Sequence, residues 1–292
     1  MAGPPSTPPG SVGVVVVAYE PGPIIGRTLA AILDEQPAAV VVVDNSPVAS
    51  PDVARSAAAH PGVIVANRPD NPGFTGGNNL GLTLLPPTEF VLFLNPDAVV
   101  GPGFLEAAVR TLRGDPAAAA LNPKLVRLDP DSLQRTGEID CAGVFHSWYG
   151  RSYDRGQGEP DDGRHSDGIE AVPALCGAAF FARRTVLEQV AIGGQVFDET
   201  FFMYKEDVDL SYRLRAKGWR LLYDPALEVG HVRGAHAVTA SPESRRQLRR
   251  LSLRNDWRVW RRGTLPMRVR VPMLPYLVAK TAIVWLMPSL AP

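Results

Sequence analysis

The sequence predicts an α/β protein with a mostly parallel central sheet, helices on both faces, and a helical, basic C-terminal extension. Three observations carry that expectation. Short runs that are apolar throughout alternate with stretches of helical spacing, the pattern of strands buried on both faces. The 292 residues are 45% hydrophobic, enough to bury a core in one large or two small domains. Polar residues stand where the apolar runs stop, and in a parallel sheet ligands gather at the strand carboxyl ends.

Each element follows from its residues. Val12–Ala18 reads as the first strand, and Ile24, Ile25, Leu29, Ile32 and Leu33 then repeat at helical spacing. Ala39–Val43 is a second strand ending in Asp44-Asn45-Ser46, a helix around Asp52–Ala59 follows, and Val63–Ala66 is a third strand. Asn78–Leu85 is expected to be helical, Phe90–Leu94 a strand, and Phe104–Arg113 a helix. Tyr19, Asp44, Asn67 and Asp97 fall at or just beyond strand ends, so they are expected to converge on one edge. From Asp129 to Glu170 the chain is rich in Asp, Gly and Arg and reads as a long insertion or irregular ribbon. Order returns at Cys176–Phe181, continues through an acidic helix, and ends in a strand at Trp219–Tyr223. The division expected is a flexible N-terminal tail over 1–11, a catalytic domain over 12–235 and an extension over 236–292.

Composition removes several classes. Thirty basic and thirty acidic residues give zero formal charge, so no global field draws the chain to nucleic acid. Two cysteines, Cys141 and Cys176, lie outside any metal-like spacing and suggest a reducing compartment without a disulfide framework. The Pro-, Gly- and Ser-rich start lacks the basic and apolar regions of a signal peptide, and Val14–Val17 is too short to span a bilayer.

The segment Phe201–Arg215 is the most informative. An aromatic run meets Glu206, Asp207 and Asp209, and a helix then begins with Leu210 and Leu214 four apart. The positive end of a helix dipole favours carboxylates and keeps them ionised, so these residues suit either simple capping or proton acceptance. Asn95-Pro96-Asp97 is a second acidic site at a strand end; it fits an Asx-type turn and a Mg²⁺ or Mn²⁺ ligand equally. Asn71–Asn79 is glycine-rich, as in an ordinary turn or a backbone cradle for an anion, but matches neither a P-loop nor GxGxxG. His231 follows Leu227 and Val229 at strand spacing, and fits a structural role or a supplementary Mn²⁺ ligand. No nucleophile elbow supports acyl hydrolysis, and no glycine fingerprint after the first strand supports a dinucleotide enzyme.

In order, Val16-Val17-Ala18-Tyr19, Val42–Ser46, Asn71-Pro72-Gly73-Phe74, Phe93–Asp97, Gly177–Arg183 and Phe201–Asp209 resemble the inverting glycosyltransferases of family 2, in the bacterial rhamnosyltransferase-like branch. The resemblance spans roughly Ser11 to Gly234 and implies a GT-A fold, a dTDP- or UDP-sugar donor and a divalent cation, Mg²⁺ or Mn²⁺. By that resemblance Tyr19 and Asp44 frame the nucleobase and ribose, and Asn71, Asn78 and Asn95 lie along the donor. Asp97 is the surviving carboxylate of an Asp-X-Asp metal motif, with Asn95 in place of the first Asp, and His231 is a further metal ligand. Asp207 takes the position of the catalytic base, with Glu206 beside it near the acceptor. One carboxylate at one helix start agrees with inversion, since retention through a covalent intermediate requires a second one as nucleophile. The alternative is a transferase-like binding module that has lost its chemistry and works as a membrane-bound partner.

From Ser241 to Arg270 the chain is strongly arginine-rich, with Trp257 and Trp260 interleaved. Pro275–Pro288 is apolar except for Lys280 and too short to span a membrane alone. Such a tail fits an annex packed on the domain or a docking segment for anionic lipid. The resemblance favours the second, with a polyprenyl-linked or glycan acceptor at the cytoplasmic face of the membrane.

Overall fold

The computed structural model describes residues 11–233 and 241–286, so all but Ser11 of the tail expected over 1–11, and the boundary expected at 235/236, lie outside the described residues. Strands β1 (Val12–Ala18), β2 (Ala39–Asp44), β3 (Val63–Asn67) and β4 (Phe90–Leu94) are joined by helices α1 (Ile24–Asp34), α2 (Pro51–Ala59) and α3 (Gly73–Leu84). There follow β5 (Ala98–Val100), α4 (Phe104–Gly114), β6 (Ala118–Leu128), β7 (Arg135–Cys141), β8 (Val144–His146), β9 (Ser152–Asp154) and β10 (Glu170–Ala171). The chain continues through β11 (Ala179–Arg183), α5 (Arg184–Gln189), α6 (Glu206–Ala216) and β12 (Arg220–His231), then α7 (Pro242–Arg262) and α8 (Met267–Leu286).

The main sheet runs β10-β12-β6-β11-β4-β1-β2-β3. β4, β1, β2 and β3 are parallel, as is the β12–β6 pair, while β11 is antiparallel to both β4 and β6 and joins the two blocks. The sheet is therefore mixed but mostly parallel. Alternation along β1 decides which face each residue serves. Val14 and Val16 pack in one core with Ile25, Leu29 and Ile32 of α1, and Val15 and Val17 in another with Leu210 and Leu214 of α6. Register sets Ala18 beside Asp44 and Asp44 beside Asn67, so the predicted strand ends do form one edge.

Three expectations need correction. The third helix begins at Gly73, not Asn78, so most of the glycine-rich stretch is helix rather than an ordinary turn. A Cβ on Gly77 would lie 2.7 Å from Val17 Cγ1, and one on Gly81 2.3 Å from Val15 Cγ1. These glycines are there so that α3 can press against β1, which outweighs their poor helix propensity. β3 is an edge strand with Ile64 and Val65 exposed, because nothing among the described residues pairs beyond it, so it is not buried on both faces. The stretch over 129–170 is not an insertion apart from the domain: β7 pairs with β6 and β10 with β12, and Asp140 within it is buried.

The C-terminal helices form a hairpin joined by Asp256–Lys280 (2.6 Å) and by Trp257 Nε1–H donating to Thr281 Oγ1 (3.0 Å). The hairpin lies on the catalytic domain: Val259, Leu265, Met273 and Leu277 belong to the core that contains β1.

Close packing decides the sign of one substitution. Alanine ordinarily favours a helix over glycine by about 1 kcal/mol. Gly81→Ala is nonetheless expected to destabilise by about 1–3 kcal/mol, because Val15 is β-branched, buried and unable to yield. Urea unfolding tests this; a stabilised variant would refute the close-packing account.

Candidate active site

The carboxyl end of β4 and the end of β12 meet at one corner. Asp97 Oδ1 lies 3.3 Å from His231 Nε2, and Asn95 Nδ2 is also 3.3 Å from that nitrogen. On the other side of the ring, Nδ1 is 2.8 Å from Asp140 Oδ2. Asp140 is buried and flanked by Arg127 at 3.5 Å and Arg233 at 3.4 Å. Burial pushes the Asp140 carboxyl up, but His231 and the two guanidiniums outweigh it and leave it below its usual value. Burial likewise lowers the imidazole, and the Asp140 and Asp97 carboxylates overcome that and raise it to about 10.

This corner fits a divalent cation. With its raised pKa the imidazole carries Nδ1–H toward Asp140 and Nε2–H toward Asp97; a divalent cation would take the place of the Nε2 proton, with the Asp140 bond as the usual support for a metal-binding imidazole. Two ligands of an octahedral ion with bonds of about 2.1 Å stand about 3 Å apart, close to the 3.3 Å seen between Nε2 and Asp97 Oδ1. Sequence reading missed Asp140. Its signal was a single carboxylate inside the apolar Ile139–Ala142 stretch, hidden by the polar composition around it.

The dipeptide Gly177-Ala178 links this corner to the acidic helix. Asn95 N–H donates to the Ala178 carbonyl (2.9 Å), and Gly177 N–H donates to Asp207 Oδ2 (3.0 Å). Asn122, buried on β6, holds the segment: its amide donates to the Cys176 (3.0 Å) and Ala179 (2.7 Å) carbonyls and accepts from Cys176 N–H. Asp207 Oδ1 accepts from Val208 N–H (2.7 Å). Burial raises the Asp207 pKa, and the two amide donors pull the other way. Glu206 is buried, its Oε2 has no hydrogen-bond partner among the described residues, and burial together with the Asp207 charge raises it well above the usual carboxylate range. Burial thus disfavours charge on both carboxyls, most at Glu206, while the Gly177 and Val208 amides favour it on Asp207. Asp209 is different: it is buried against Arg213 at 2.8 Å and serves the helix's own structure.

The bend before α6 is strained. Phe202, Tyr204 and Lys205 all have positive φ, at 64°, 70° and 70°. Each costs on the order of 1 kcal/mol, so the surroundings must hold the bend in place. Thr75 N–H at the start of α3 donates to the Phe202 carbonyl (3.1 Å), and Lys205 Nζ donates to Ser152 Oγ (2.6 Å). Gly73 is required at that junction, because a Cβ there would lie 2.5 Å from the Phe202 carbonyl oxygen.

The remaining predicted residues are placed unevenly. Tyr19 is exposed beside Glu20, whose N–H donates to Ser46 Oγ (2.8 Å) across the β1 and β2 loops. Asp44 is buried and accepts from Ser46 and Ser50 N–H at 3.0 and 2.7 Å, so it shapes the loop after β2. Asn71 has φ 43° and accepts from Gly73 N–H (3.1 Å). Asn78 is buried and donates to the Phe74 carbonyl of its own helix (2.9 Å), which puts it in the packing beneath the edge.

Cys141 and Cys176, outside any metal-like spacing in sequence, meet Asp154 in the fold with their donor atoms all within 4.8 Å of one another. Both are free thiols, and a hydrogen bond to Cys176 and burial push Cys141 well above the usual thiol range. That keeps Cys141 protonated and unreactive.

The raised Glu206 pKa has a consequence for stability. A carboxyl whose pKa is higher in the fold than in the unfolded chain stabilises at low pH, and that contribution is lost as pH rises through the folded value. Glu206→Gln removes the titration, so the fall in stability from about pH 5 to 8 is expected to be shallower, by up to about 1.4 kcal/mol per pH unit. Parallel pH profiles of urea midpoints for the two proteins would contradict the assignment.

Comparison with known proteins gives the family and the fold. The family described as "Glycosyltransferase like family 2" matches residues 8–255. An N-acetylglucosaminyl-diphospho-decaprenol L-rhamnosyltransferase of Mycobacterium tuberculosis is 33% identical over 259 residues, covering 79% of this chain and 78% of that protein. A pre-mycofactocin glycosyltransferase of the same organism is 34% identical over 195 residues, 66% of this chain and 37% of that protein. Among solved structures, GalNAc-T7 with UDP, GalNAc and Mn²⁺ superposes with TM-score 0.62 at 17% identity, over 76% of this chain and 43% of that one. The mannosyltransferase PcManGT from Pyrobaculum calidifontis, in complex with GDP-Man and Mn²⁺, gives TM-score 0.58 at 20% identity, over 97% of this chain and 76% of that one. The fold is GT-A, and the chain belongs to the family-2-like glycosyltransferases.

Proposed function

We propose that this enzyme moves a sugar, with rhamnose as the candidate, from a dTDP- or UDP-sugar to a hydroxyl of a polyprenyl-diphosphate-linked saccharide, inverting the anomeric centre. The observation that carries the reading is the Gly177-Ala178 bridge, which ties Asn95 next to Asp97 on one side and the Asp207 carboxylate on the other. A group that meets departing charge and a group that accepts a proton are thus held on one short piece of backbone. The printed name of the mycobacterial relative, a rhamnosyltransferase acting on a decaprenol-linked sugar, supports the choice of substrates.

Asp207 removes the proton from the acceptor hydroxyl as that oxygen attacks the anomeric carbon from the face opposite the diphosphate. Its pKa, raised by burial, brings its basicity closer to what the transfer needs, while Gly177 and Val208 N–H keep it in place and ionised. Glu206 holds its own proton and leaves the negative charge on its neighbour. Asp97 and His231 would hold a Mg²⁺ or Mn²⁺ ion, whose chemistry is to offset charge on the departing diphosphate. Tyr19, Asp44 and Asn71 line the loops after β1 to β3, where the nucleoside would lie.

The C-terminal hairpin supports attachment to the cytoplasmic face of the membrane. No helix among the described residues is long and apolar enough to cross a membrane. Yet α8 is apolar on its packed face, with Met273 and Leu277, and also on its outer face, where Met267, Val271, Leu274, Val278 and Trp285 are exposed. Their spacing forms a stripe along one side of the helix. Arg250 of α7 lies 4.5 Å over the Trp285 ring, so the basic row and the apolar stripe adjoin. Such a surface suits anionic lipid.

Two experiments test these readings. Asp207→Asn is expected to lower turnover at least a hundredfold with donor affinity nearly unchanged, whereas Asp97→Ala should lose both Mn²⁺ dependence and donor affinity. Normal turnover in the first variant, or unchanged Mn²⁺-linked nucleotide binding in the second by calorimetry, would overturn the respective role. For the membrane, the full chain should float with anionic vesicles at low salt, and the double variant Val271→Glu, Val278→Glu should not. Equal flotation of both would remove the stripe from the account.

A further inference from the structure

We propose that Asn255, on the C-terminal helix α7, is a positioning residue for transfer: it fixes the bend from which the Asp207 helix starts. Asn255 is 0% exposed within a helix otherwise dominated by arginine. Its Nδ2 lies 2.9 Å from each of three carbonyl oxygens, those of Phe201, Met203 and Tyr204. Its Oδ1 accepts from Arg258 Nη1 (2.7 Å), which fixes the orientation of the amide. The three carbonyls converge because the left-handed conformations at Phe202 and Tyr204 curl the backbone around that nitrogen. Without the amide, the three oxygens would face one another in a dry pocket, each short of a donor, although that of Phe201 would keep Met203 N–H (2.7 Å), so the bend would loosen.

Arg262 grips the same region from one end of α7. It pairs with Asp198 ahead of the bend, and its Nε lies 2.6 Å from Asp209 Oδ1 beyond it, off the hydrogen-bond axis. The bend is thus held by α3 through Thr75, by Ser152 of β9 through Lys205, and by α7 through Asn255 and Arg262. Asp207 follows Lys205 by two residues, so any rotation of the bend moves its carboxylate off Gly177 N–H. The extension is therefore part of the machinery that aims the base, and a hairpin offered to lipid reaches the acceptor side of the site through Asn255 and Arg262.

The proposal rests on Asp207 as the base, and its test separates the two. In the full-length protein, Asn255→Ala is expected to lower kcat about 10- to 100-fold, the scale of a misplaced reacting group, with the donor KM within twofold. Hydrogen exchange of amides over 202–208 should accelerate at least tenfold, with the central strands unchanged; this readout does not depend on which group is the base. Leu253→Ala, a buried apolar residue on the same helix, is the control for lost stability and should leave kcat within threefold at a comparable fall in Tm. If Asn255→Ala does not accumulate folded, Asn255→Ser, which keeps one donor, should show the same pattern in weaker form. Equal kcat losses in the Leu253 and Asn255 variants, or unchanged exchange over 202–208, would overturn the proposal.

Discussion

The site depends on one short piece of backbone. Gly177-Ala178 enters β11, the antiparallel strand that joins the two parallel blocks, and it is fastened at Asn122 before it reaches either side-chain group. Its carbonyl fixes the end of β4 and its amide fixes Asp207. Because both bonds come from adjacent residues, the spacing between the two halves of the site is set by covalent geometry rather than by long side chains.

Charge and strain are concentrated around this link. The acidic corner is balanced by Arg127, Arg233 and His231, whereas at the acidic helix start burial and the neighbouring Asp207 raise the Glu206 pKa. Buried carboxyls are thus met in two ways: by direct partners in one place, by a raised pKa in the other. The bend at Phe202–Lys205 stores backbone strain that neighbouring elements hold in place, as expected where a chain is shaped for chemistry rather than for stability.

Much of the fold was legible in the sequence, and the parts that were not share a cause. β1, β2 and β4 were readable because they are apolar throughout and lie inside the sheet. The start of α3 was not, because glycine signals a turn locally, while Val15 and Val17 demand it for close packing. Of the candidate site, Asp97, His231, Glu206 and Asp207 were all readable from motif order, and the structure sets them in two adjoining clusters. Asp140, Asn122 and Asn255 were not. Each is a buried polar residue whose partner lies far along the chain, at His231, Cys176 and Phe201, and composition reports only that its neighbourhood is polar, apolar or basic. Long-range hydrogen bonding leaves no local periodicity to detect.

The hairpin shows the same limit in another form. Read as charge, its arginines suggested a surface; the structure shows one buried amide among them gripping the bend before α6, and an apolar stripe turned outward. Packing on the domain and an exposed apolar stripe coexist on α8 because they occupy different faces of it. The proposed reaction rests on a single base, Asp207, with no second carboxylate taken as a nucleophile. The direct test is the anomeric configuration of the product, followed by proton NMR with a nucleotide-sugar donor of defined configuration and a soluble acceptor analogue. The account predicts a product of opposite anomeric configuration to the donor. A product that retains the donor's configuration would contradict it.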